Sequence, residues 1–277
     1  MRILAGQTVL LTGASGGLGT YMARAFAEQK VKLALVAHPG IDLEGLRKSL
    51  ADRGVEAFAL TSDLRDPARR REMLAAVKSR LGPIDILVNN AGVEFNSIYH
   101  ELSEGQIGEV LSVNLEAPMI LTRLLLPEML ERKQGHIVNI SSLAGKSGPA
   151  FQEPYAATKA GLVAFTQSLR ATYRGSGVSA SVIVPAFVEA GIYARLKAKS
   201  GCAAPALLTG CSPGQVAQAV LRSIEGDVPE IIVSRYPIRP VLALSALSPR
   251  LGDWIIARMG VNDFFRRAAA AEKSQRR

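Results

Sequence analysis

The chain has 277 residues and a mass of 29.5 kDa, enough for one large α/β domain or two small ones. Hydrophobic residues make up 48% and charged residues 21%, and no run of eighteen apolar residues occurs, so the composition is globular and gives no sign of a membrane span. The net charge is +9, and residues 235–277 hold nine Lys and Arg against three Asp and Glu, so most of the excess lies in the tail.

Short apolar runs alternate with helix-length amphipathic stretches, a pattern typical of βα units that feed a parallel sheet. The predicted strands cover residues 8–12, 32–37, 56–61, 84–88, 136–140, 179–184 and 230–233. Helices fill the gaps, including one over 213–224. Because crossovers are right-handed and these strands are nearly continuous apolar runs, we expect an α/β fold: a three-layer, Rossmann-type, doubly wound parallel sheet of seven strands.

The domain prediction is one catalytic domain over residues 1–234 and a basic, partly apolar C-terminal extension over 235–277. Residues 186–212 carry few helix or strand signals beyond 192–199, and such a loop in a compact domain is usually a functional lid. The extension interleaves cations with VLALSAL, Trp254 and Phe264-Phe265. It either packs on the lid or a partner subunit, or makes peripheral contact with an anionic membrane surface. Nucleic acid is not an expected partner, since no reading motif is present.

Cysteine usage and the N-terminus both bear on location. Cys202 and Cys211 have neither CxxC spacing nor a histidine partner, so we expect no metal site and no disulfide. The opening MRILAGQTVLLTG has no long apolar segment of the kind that signal peptides carry. Both observations favour a cytoplasmic location.

The first strand runs into TGASGGLG, a glycine-rich strand-to-helix turn. Its residues are Gly13, Ala14, Ser15, Gly16, Gly17, Leu18 and Gly19. Glycine permits unusual φ/ψ values and lets backbone N–H groups and the helix N-terminus approach a pyrophosphate. The spacing is GxxxGxG rather than GxGxxG, and by itself it would also suit tight helix packing. Its position after the first strand of a βαβ unit favours dinucleotide binding.

Tyr155 and Lys159 are four residues apart and share one face of a helix predicted to begin near Pro154. A tyrosine hydroxyl, whose pKa is about 10, needs a nearby cation to stabilise its phenolate at neutral pH. Lys159 can supply that cation. As an isolated pattern, such a pair is more often a solvated helix face.

These motifs occur together with Asp63-Leu64 after the third strand, Asn90-Ala91-Gly92 ending the fourth, Asn114 in VNL and Ser142 ending the fifth. In this order the sequence resembles the short-chain dehydrogenase/reductase family over nearly its whole length. The resemblance implies an NAD(P)-dependent oxidoreductase that interconverts a carbonyl and an alcohol by hydride transfer. Beyond the glycine turn, it implies a cofactor cleft formed by His38, Asp63, Leu64, Asn90, Ala91, Gly92, Tyr155, Lys159, Pro185 and Val188.

The resemblance also implies a catalytic tetrad of Asn114, Ser142, Tyr155 and Lys159. Ser142 would hydrogen-bond the substrate oxygen; the adjacent Ser141 competes for this role, its alternative being a bond to the backbone. Tyr155 would give or take the proton. Lys159 would lower the Tyr155 pKa and bind the nicotinamide ribose, and Asn114 would hold a water that links Lys159 to solvent.

Two departures from the family pattern concern the cofactor. After the second strand no acid occurs before Asp42, and His38 stands where many NADP-using relatives have arginine, so NADP is favoured over NAD. The alternative for His38 is an exposed loop histidine. After the sixth strand, Ala186 stands where the family commonly has glycine, and it fits only if its φ is negative. Ala190 stands where the family has a threonine and cannot supply the hydroxyl. Cofactor affinity or lid closure is therefore expected to differ from the family pattern.

The predicted substrate wall is apolar. It consists of Phe95, Ala150, Phe151, Phe187, Ile192 and Tyr193. This wall favours a lipophilic ketone, aldehyde or alcohol, the alternative being that several of these side chains pack in the core. We expect a homodimer or homotetramer. The competing functional class is a non-catalytic NAD(P)-binding regulator on the same fold, which would be free to lose Tyr155 or Lys159.

Overall fold

The computed structural model describes residues 3–275 and contains one parallel sheet. Met1, Arg2, Arg276 and Arg277, which belong to the predicted domain ranges, lie outside the described residues. The strands are β1 (Thr8–Thr12), β2 (Lys32–Ala37), β3 (Ala57–Thr61), β4 (Ile86–Asn89), β5 (Gly135–Ile140), β6 (Val178–Pro185) and β7 (Glu230–Val233). Their order in the sheet is β3-β2-β1-β4-β5-β6-β7, which confirms the predicted doubly wound, seven-stranded fold.

The largest difference from the predicted strand boundaries is at the start of β4. The fourth strand begins at Ile86 rather than at residue 84. The carboxylate of Asp85 accepts a hydrogen bond from the Thr8 amide (2.9 Å) and pairs with the guanidinium of Arg132 (2.5 Å). Asp85 therefore ties the start of β4 to its neighbours through its side chain.

Helices cover both faces of the sheet. They are α1 (Gly17–Glu28), α2 (Glu44–Ala51), α3 (Pro67–Leu81), α4 (Glu104–Leu111), α5 (Ala117–Glu131), α6 (Glu153–Thr172), α7 (Gly191–Ser200), α8 (Pro213–Glu225), α9 (Arg239–Leu247), α10 (Pro249–Arg258) and α11 (Val261–Gln275). Side chains alternate across β1, so Val9 and Leu11 join the core under α1 and α8, while Leu10 joins the core under α3 and α5.

Helices α4 and α5 form one helical run, Glu104–Glu131, joined by the π-helical turn Ser112–Glu116. Among the described residues this run alone is long and apolar enough to cross a membrane by length and composition. The core helix of a soluble protein passes the same test, so the finding is weak evidence.

The tail and the lid share a third apolar cluster, which we call the lid–tail cluster. It joins α7, the loop that follows α7, and α11, and it includes Tyr193, Phe264 and Phe265 with Phe187 packed against them. The ring centroids of Phe187 and Tyr193 are 5.1 Å apart, and those of Phe187 and Phe264 are 5.4 Å apart. For α11, the predicted packing on the lid is confirmed.

The carboxyl ends of β1, β4, β5 and β6 meet at one edge of the sheet, where the strand order reverses beside β1. In open α/β sheets, ligands bind in the crevice at this reversal. The lid and the tail lie over the same edge, because the lid begins directly after β6. The fold thus brings three separate parts of the sequence to one crevice.

Candidate active site

The glycine turn joins β1 to α1 at this crevice. Gly13 has a φ of +66°, in the left-handed region that favours glycine. A Cβ on Gly19 would lie 2.1 Å from the Gly13 carbonyl oxygen, so only glycine lets α1 pack this closely on the turn. Among the described residues no side chain caps α1, and its first turn holds no acid. Its N-terminal N–H groups are therefore suited to an anion such as a pyrophosphate.

The end of β4 holds the turn in place. The Asn90 amide donates to the carbonyl oxygens of Thr12 (3.0 Å) and Gly13 (2.9 Å). The Thr12 hydroxyl in turn accepts hydrogen bonds from the backbone N–H groups of Asn90 and Ala91, at 3.1 and 3.2 Å. Asn90 and Ala91 thus shape the floor of the cleft through backbone contacts.

His38 and Asp63 lie together at the ends of β2 and β3. The His38 ring is exposed, and its Nδ1 lies 2.9 Å from the carbonyl oxygen of the next residue. Arg65 donates to both carboxylate oxygens of Asp63, and this pairing is the main reason that the Asp63 pKa falls to about 2. Asp42 accepts the backbone N–H two residues later (2.8 Å) at the start of α2. Arg65 was not predicted, although it directly follows the Asp63-Leu64 motif.

Ser142, Tyr155 and Lys159 meet where β5 ends and α6 begins. The Ser142 side chain lies close enough to the Tyr155 hydroxyl to act on its pKa. The Lys159 Nζ donates to the Ile140 carbonyl oxygen (2.9 Å) and lies 5.4 Å from the centroid of the Tyr155 ring. A Cβ on Gly145 would lie 2.5 Å from the Lys159 carbonyl carbon, so glycine allows the turn after Ser142 to approach α6.

Ser141 makes a hydrogen bond to the backbone, which was the alternative to a role in substrate binding. Its hydroxyl donates to the backbone carbonyl oxygen of Lys159 (2.7 Å), and the residue is buried. Ser142 instead accepts a hydrogen bond from the backbone N–H of Ala144 (3.2 Å) and remains within reach of the Tyr155 hydroxyl. Of the two serines, the structure therefore sets only Ser142 beside Tyr155.

Asn114 lies in the π-helical turn between α4 and α5, a type of distortion that is frequent at functional sites. Its side-chain oxygen accepts from the Val93 backbone N–H, and its amide donates to the Val93 carbonyl oxygen, both at 2.8 Å. A Cβ on Gly92 would lie 3.4 Å from the Asn114 oxygen and 3.7 Å from the Lys159 Nζ. Asn114 and Lys159 therefore face each other across Gly92.

The predicted lowering of the Tyr155 pKa by Lys159 is not seen. Burial raises the Tyr155 pKa above 10, the negative charge of Glu94 raises it further, and only the hydrogen bond from Ser142 acts in the other direction. Burial also lowers the Lys159 pKa to about 8, against the opposing effect of Glu94. A lysine with a pKa of about 8 is still mostly protonated at neutral pH, so Lys159 remains a cation beside the Tyr155 ring.

Glu94 is the main functional candidate that sequence reasoning missed. Its carboxylate accepts a hydrogen bond from Gln152 (2.9 Å), and Gln152 also donates to Asn96 (2.6 Å). Burial raises the Glu94 pKa to about 7, although hydrogen bonds from Gln152 and Asn96 and the charge of Arg195 lower it. An acid two residues after the Asn-Asn-Ala-Gly segment was the available signal.

The residue before Gln152 carries backbone strain. Phe151 has a φ of +64°, which is unfavourable for a bulky side chain. Its ring packs against the lid–tail cluster. This packing holds the backbone in a conformation from which Gln152 reaches Glu94.

A cavity of about 500 Å³ connects these groups. Most of the predicted cofactor and catalytic residues line it: Gly13, Ser15, Gly16, Gly17, Leu18, His38, Asp63, Leu64, Asn90, Ala91, Gly92, Ser142, Tyr155, Lys159, Pro185 and Val188. Ala14, Gly19 and Asn114 do not line it. Ala14 and Gly19 lie behind the turn, where their small size permits close packing. The residues present fit a dinucleotide whose pyrophosphate meets the start of α1.

The remaining wall comes from the lid and the tail. Phe187, Ile192 and Tyr193 line the cavity as predicted, whereas Phe95, Ala150 and Phe151 do not. The tail adds wall residues that were not predicted: Val241, Leu242, Ser245, Ile256, Met259, Val261 and Phe265. No local pattern in the sequence indicates that a segment so far from Tyr155 returns to the cavity.

Ala186 and Ala190, which depart from the family pattern after β6, differ in their structural consequences. Ala186 has the negative φ that its fit requires, since the described non-glycine residues with positive φ are Lys30, Lys133, Phe151 and Asp227. Ala190 precedes α7, a position where a hydroxyl commonly caps a helix, and provides no such cap. A Cβ on Gly17 would lie 2.2 Å from the Gly191 nitrogen, so the lid begins directly against the glycine turn.

Among residues 3–275, no group of three or more His, Cys, Asp and Glu side chains is placed to hold a metal ion. Cys202 and Cys211 are both free thiols, the first half-buried and the second buried.

Comparisons with known proteins agree with this geometry. The family model described as short chain dehydrogenase matches residues 7–201. The ketoacyl reductase HetN of Nostoc sp. is 39% identical over 274 residues, which cover 97% of this chain and 94% of the relative. A solved structure of a variant of actinorhodin polyketide ketoreductase with NADPH is similar, with a TM-score of 0.77 and 29% identity, and the match covers 84% of this chain and 98% of that one. A short chain dehydrogenase/reductase from Burkholderia phymatum in complex with NAD is also similar, with a TM-score of 0.80 and 25% identity, and the match covers 91% of this chain and 96% of that one.

Proposed function

The chain belongs to the short-chain dehydrogenase/reductase family, and we propose that it reduces the carbonyl group of a lipophilic substrate with NADPH as the preferred cofactor. As a member of this family it is an NAD(P)-dependent oxidoreductase. The proposal concerns the roles of individual residues, the choice of cofactor, the direction and the substrate.

The observation that carries the proposal is the contact between Ser142 and Tyr155 in a cavity that also holds Lys159 and the glycine turn. When bound, the nicotinamide cofactor supplies the hydride. Ser142 then hydrogen-bonds the substrate oxygen, and Tyr155 donates its hydroxyl proton to that oxygen. Lys159, whose Nζ lies 5.4 Å from the centroid of the Tyr155 ring, would bind the nicotinamide ribose and return a proton to Tyr155. Asn114 positions the backbone at Val93 beside Lys159 and, as the family resemblance implies, holds the water that links Lys159 to solvent.

Reduction is the favoured direction in this proposal. It requires Tyr155 as an acid, whereas oxidation requires its phenolate. Burial and the charge of Glu94 both disfavour the phenolate, so Tyr155 keeps its proton at neutral pH.

NADPH is the proposed cofactor because an imidazole and a guanidinium line the adenosine end of the cavity. His38 and Arg65 line it at the ends of β2 and β3. Arg65 engages both carboxylate oxygens of Asp63, and Asp42 does not line the cavity, which argues against the contact between an acid and the adenosine ribose hydroxyls that NAD-using sites require. NAD is the alternative cofactor.

A lipophilic substrate is supported by the apolar lid and tail residues of the cavity wall. The names of the Nostoc ketoacyl reductase and the polyketide ketoreductase support a ketone on an acyl chain. Glu94 and Arg195 are the charged groups of the substrate side and would orient polar atoms near that ketone.

The proposal also covers the domain organisation, the oligomeric state and the location of the protein. We assign residues 1–234 to the catalytic domain with its lid over 186–212, and residues 235–277 to an extension that closes the cavity. The exposed side chains of Leu111 and Met119 support a homodimer or homotetramer, and the two free thiols support a cytoplasmic location. The extension is also the part of the chain that we propose to make peripheral contact with a membrane.

The test is a kinetic screen of the purified full-length chain. Ketones of increasing chain length are offered with NADPH or NADH, and cofactor absorbance is followed. We expect kcat/KM to rise with chain length and to be higher with NADPH. A preference for small hydrophilic ketones, or for NADH, contradicts the substrate or the cofactor proposal.

A further inference from the structure

The helical hairpin formed by α9 and α10 has an unusual distribution of apolar side chains. Helix α9 reads RPVLALSAL, yet none of the residues that the structure describes in it is buried. In α10, Gly252 alone is buried, and it packs against Ser245 of α9, where a Cβ on Gly252 would lie 2.8 Å from the Ser245 Cβ. The hairpin is thus closely packed internally and still exposes apolar surface.

The two sides of α9 have different surroundings. Val241, Leu242 and Ser245 line the cavity. At about 100° per residue, Leu247 projects on the opposite side of the helix, and Leu244 lies on the flank between the two sides. Leu244 is 44% exposed and Leu247 is 85% exposed. One side of the helix is therefore cavity wall, and the other is an apolar face toward solvent.

Trp254 adds an exposed aromatic side chain on α10. Its side chain is 58% exposed, and the Arg258 guanidinium lies 5.3 Å from its ring. We call Leu244, Leu247 and Trp254 with their neighbours the hairpin face. A solvent-exposed tryptophan beside arginine is the combination found at membrane interfaces, where the ring enters the headgroup region and the cation remains at the phosphates.

The charge of the region favours an anionic surface over another copy of this chain. Residues 235–262 contain four arginines and one acid, Asp253. A twofold dimer through the hairpin face would bring these arginines together with their own copies, and that juxtaposition is repulsive. A bilayer that contains anionic lipid offers both hydrocarbon for the leucines and phosphates for the arginines.

We propose that the hairpin face docks on an anionic lipid bilayer, so that the cavity wall on its other side receives a substrate dissolved in that bilayer. This inference rests on the proposed function for its lipophilic substrate. The helical run over Glu104–Glu131 does not take part: docking is peripheral and uses the hairpin.

The chain provides its own probe, because Trp254 is its single tryptophan. Full-length protein is mixed with vesicles of phosphatidylcholine alone or of phosphatidylcholine and phosphatidylglycerol in equal parts. We expect a blue shift of the tryptophan emission, and quenching by brominated acyl chains, with the anionic vesicles and neither effect with the neutral ones. Emission that does not respond to anionic vesicles overturns the proposal.

Variants locate the contact. Leu244→Ser with Leu247→Ser should weaken vesicle partitioning about tenfold or more, because two apolar anchors are lost. Arg250→Gln and Arg258→Gln should each weaken it about fivefold. Ile41→Ser is the matched control, because Ile41 has the same 44% exposure as Leu244 and lies outside the hairpin. Leu111→Ser reports on the helical run: loss of partitioning in this variant with unchanged partitioning in the hairpin variants assigns the contact to that run and overturns the proposal.

Two further measurements separate the outcomes. Tyr155→Phe should partition like the unaltered chain, so vesicle binding is judged independently of catalysis. The paired serine substitutions should lower reduction of a long-chain ketone embedded in vesicles and leave reduction of a short water-soluble ketone unchanged. If sedimentation shows instead that these serines dissociate an oligomer, the face is a subunit interface and the docking proposal is wrong.

Discussion

Glu94 provides a quantitative test of the site, through the substitution Glu94→Gln. Glutamine keeps the size of the side chain and its hydrogen bond to Gln152 but cannot ionise. The ordinary pKa of this carboxyl is 4.5, and burial raises it to about 7 in the folded chain. At 1.36 kcal/mol per pKa step, the ionised form destabilises the fold by up to about 3 kcal/mol.

The sign of this effect fixes its pH dependence. Below pH 4.5, the pKa of this carboxyl in the unfolded chain, Glu94 is protonated in both the folded and the unfolded state, so it does not lower the free energy of unfolding. As the pH rises from 4.5 to about 7, only the unfolded chain releases the proton, and the cost grows until it saturates. Glu94→Gln should therefore be more stable than the unaltered chain at about pH 8, by up to about 3 kcal/mol, and nearly equal to it below pH 5.

Urea unfolding at several pH values measures this difference, with exposed Glu131→Gln as the matched control. A stability difference that does not change with pH would refute the claim that Glu94 is buried and ionises with a raised pKa. A second readout concerns chemistry: without the negative charge near Tyr155, alcohol oxidation should accelerate relative to ketone reduction, because oxidation needs the phenolate. A merely structural role for Glu94 would leave this ratio unchanged.

Three further predictions concern cofactor and substrate contacts. Gly19→Ala should lower both the melting temperature and the affinity for NADPH, because its Cβ would lie 2.1 Å from a carbonyl oxygen. Gly16→Ala is the control: its Cβ would meet no atom nearer than 3.4 Å, so its melting temperature should be unchanged. Equal melting temperatures for the two variants would contradict the argument that Gly19 is required for close packing. His38→Asp should shift the kcat/KM ratio toward NADH by about tenfold or more, and an unchanged ratio would remove His38 from the cofactor site. Ser142→Ala should reduce kcat about a hundredfold while NADPH titration by fluorescence stays normal.

Much of the fold could be predicted because it depends on local periodicity. The strands are apolar throughout, since a parallel sheet is covered on both faces, and each is followed by helix-length amphipathic sequence. The strand order then follows from handedness and from the glycine turn at the first strand. Local side-chain pairing, such as that of Asp85 with Arg132, shifted one strand boundary by two residues.

The parts of the site that escaped prediction depend on contacts between distant segments. Glu94 acquires its raised pKa because the fold buries it among distant segments, against the lowering effect of the hydrogen bonds from Gln152 and Asn96, and no motif encodes that burial. The tail was expected either to pack on protein or to face a membrane, and its helices differ in how far they are buried. Helix α11 buries Phe264 and Phe265 against the lid, while α9 leaves its apolar side exposed.

The most direct test of the central claim is the substitution Tyr155→Phe, which removes one hydroxyl and leaves the cavity otherwise intact. NADPH binding is measured by fluorescence titration, and ketone reduction by loss of NADPH absorbance in the same preparation. The proposed role of Tyr155 as proton donor predicts unchanged binding and a rate at least about a hundredfold lower. An unchanged rate of reduction in a protein that still binds NADPH would contradict it.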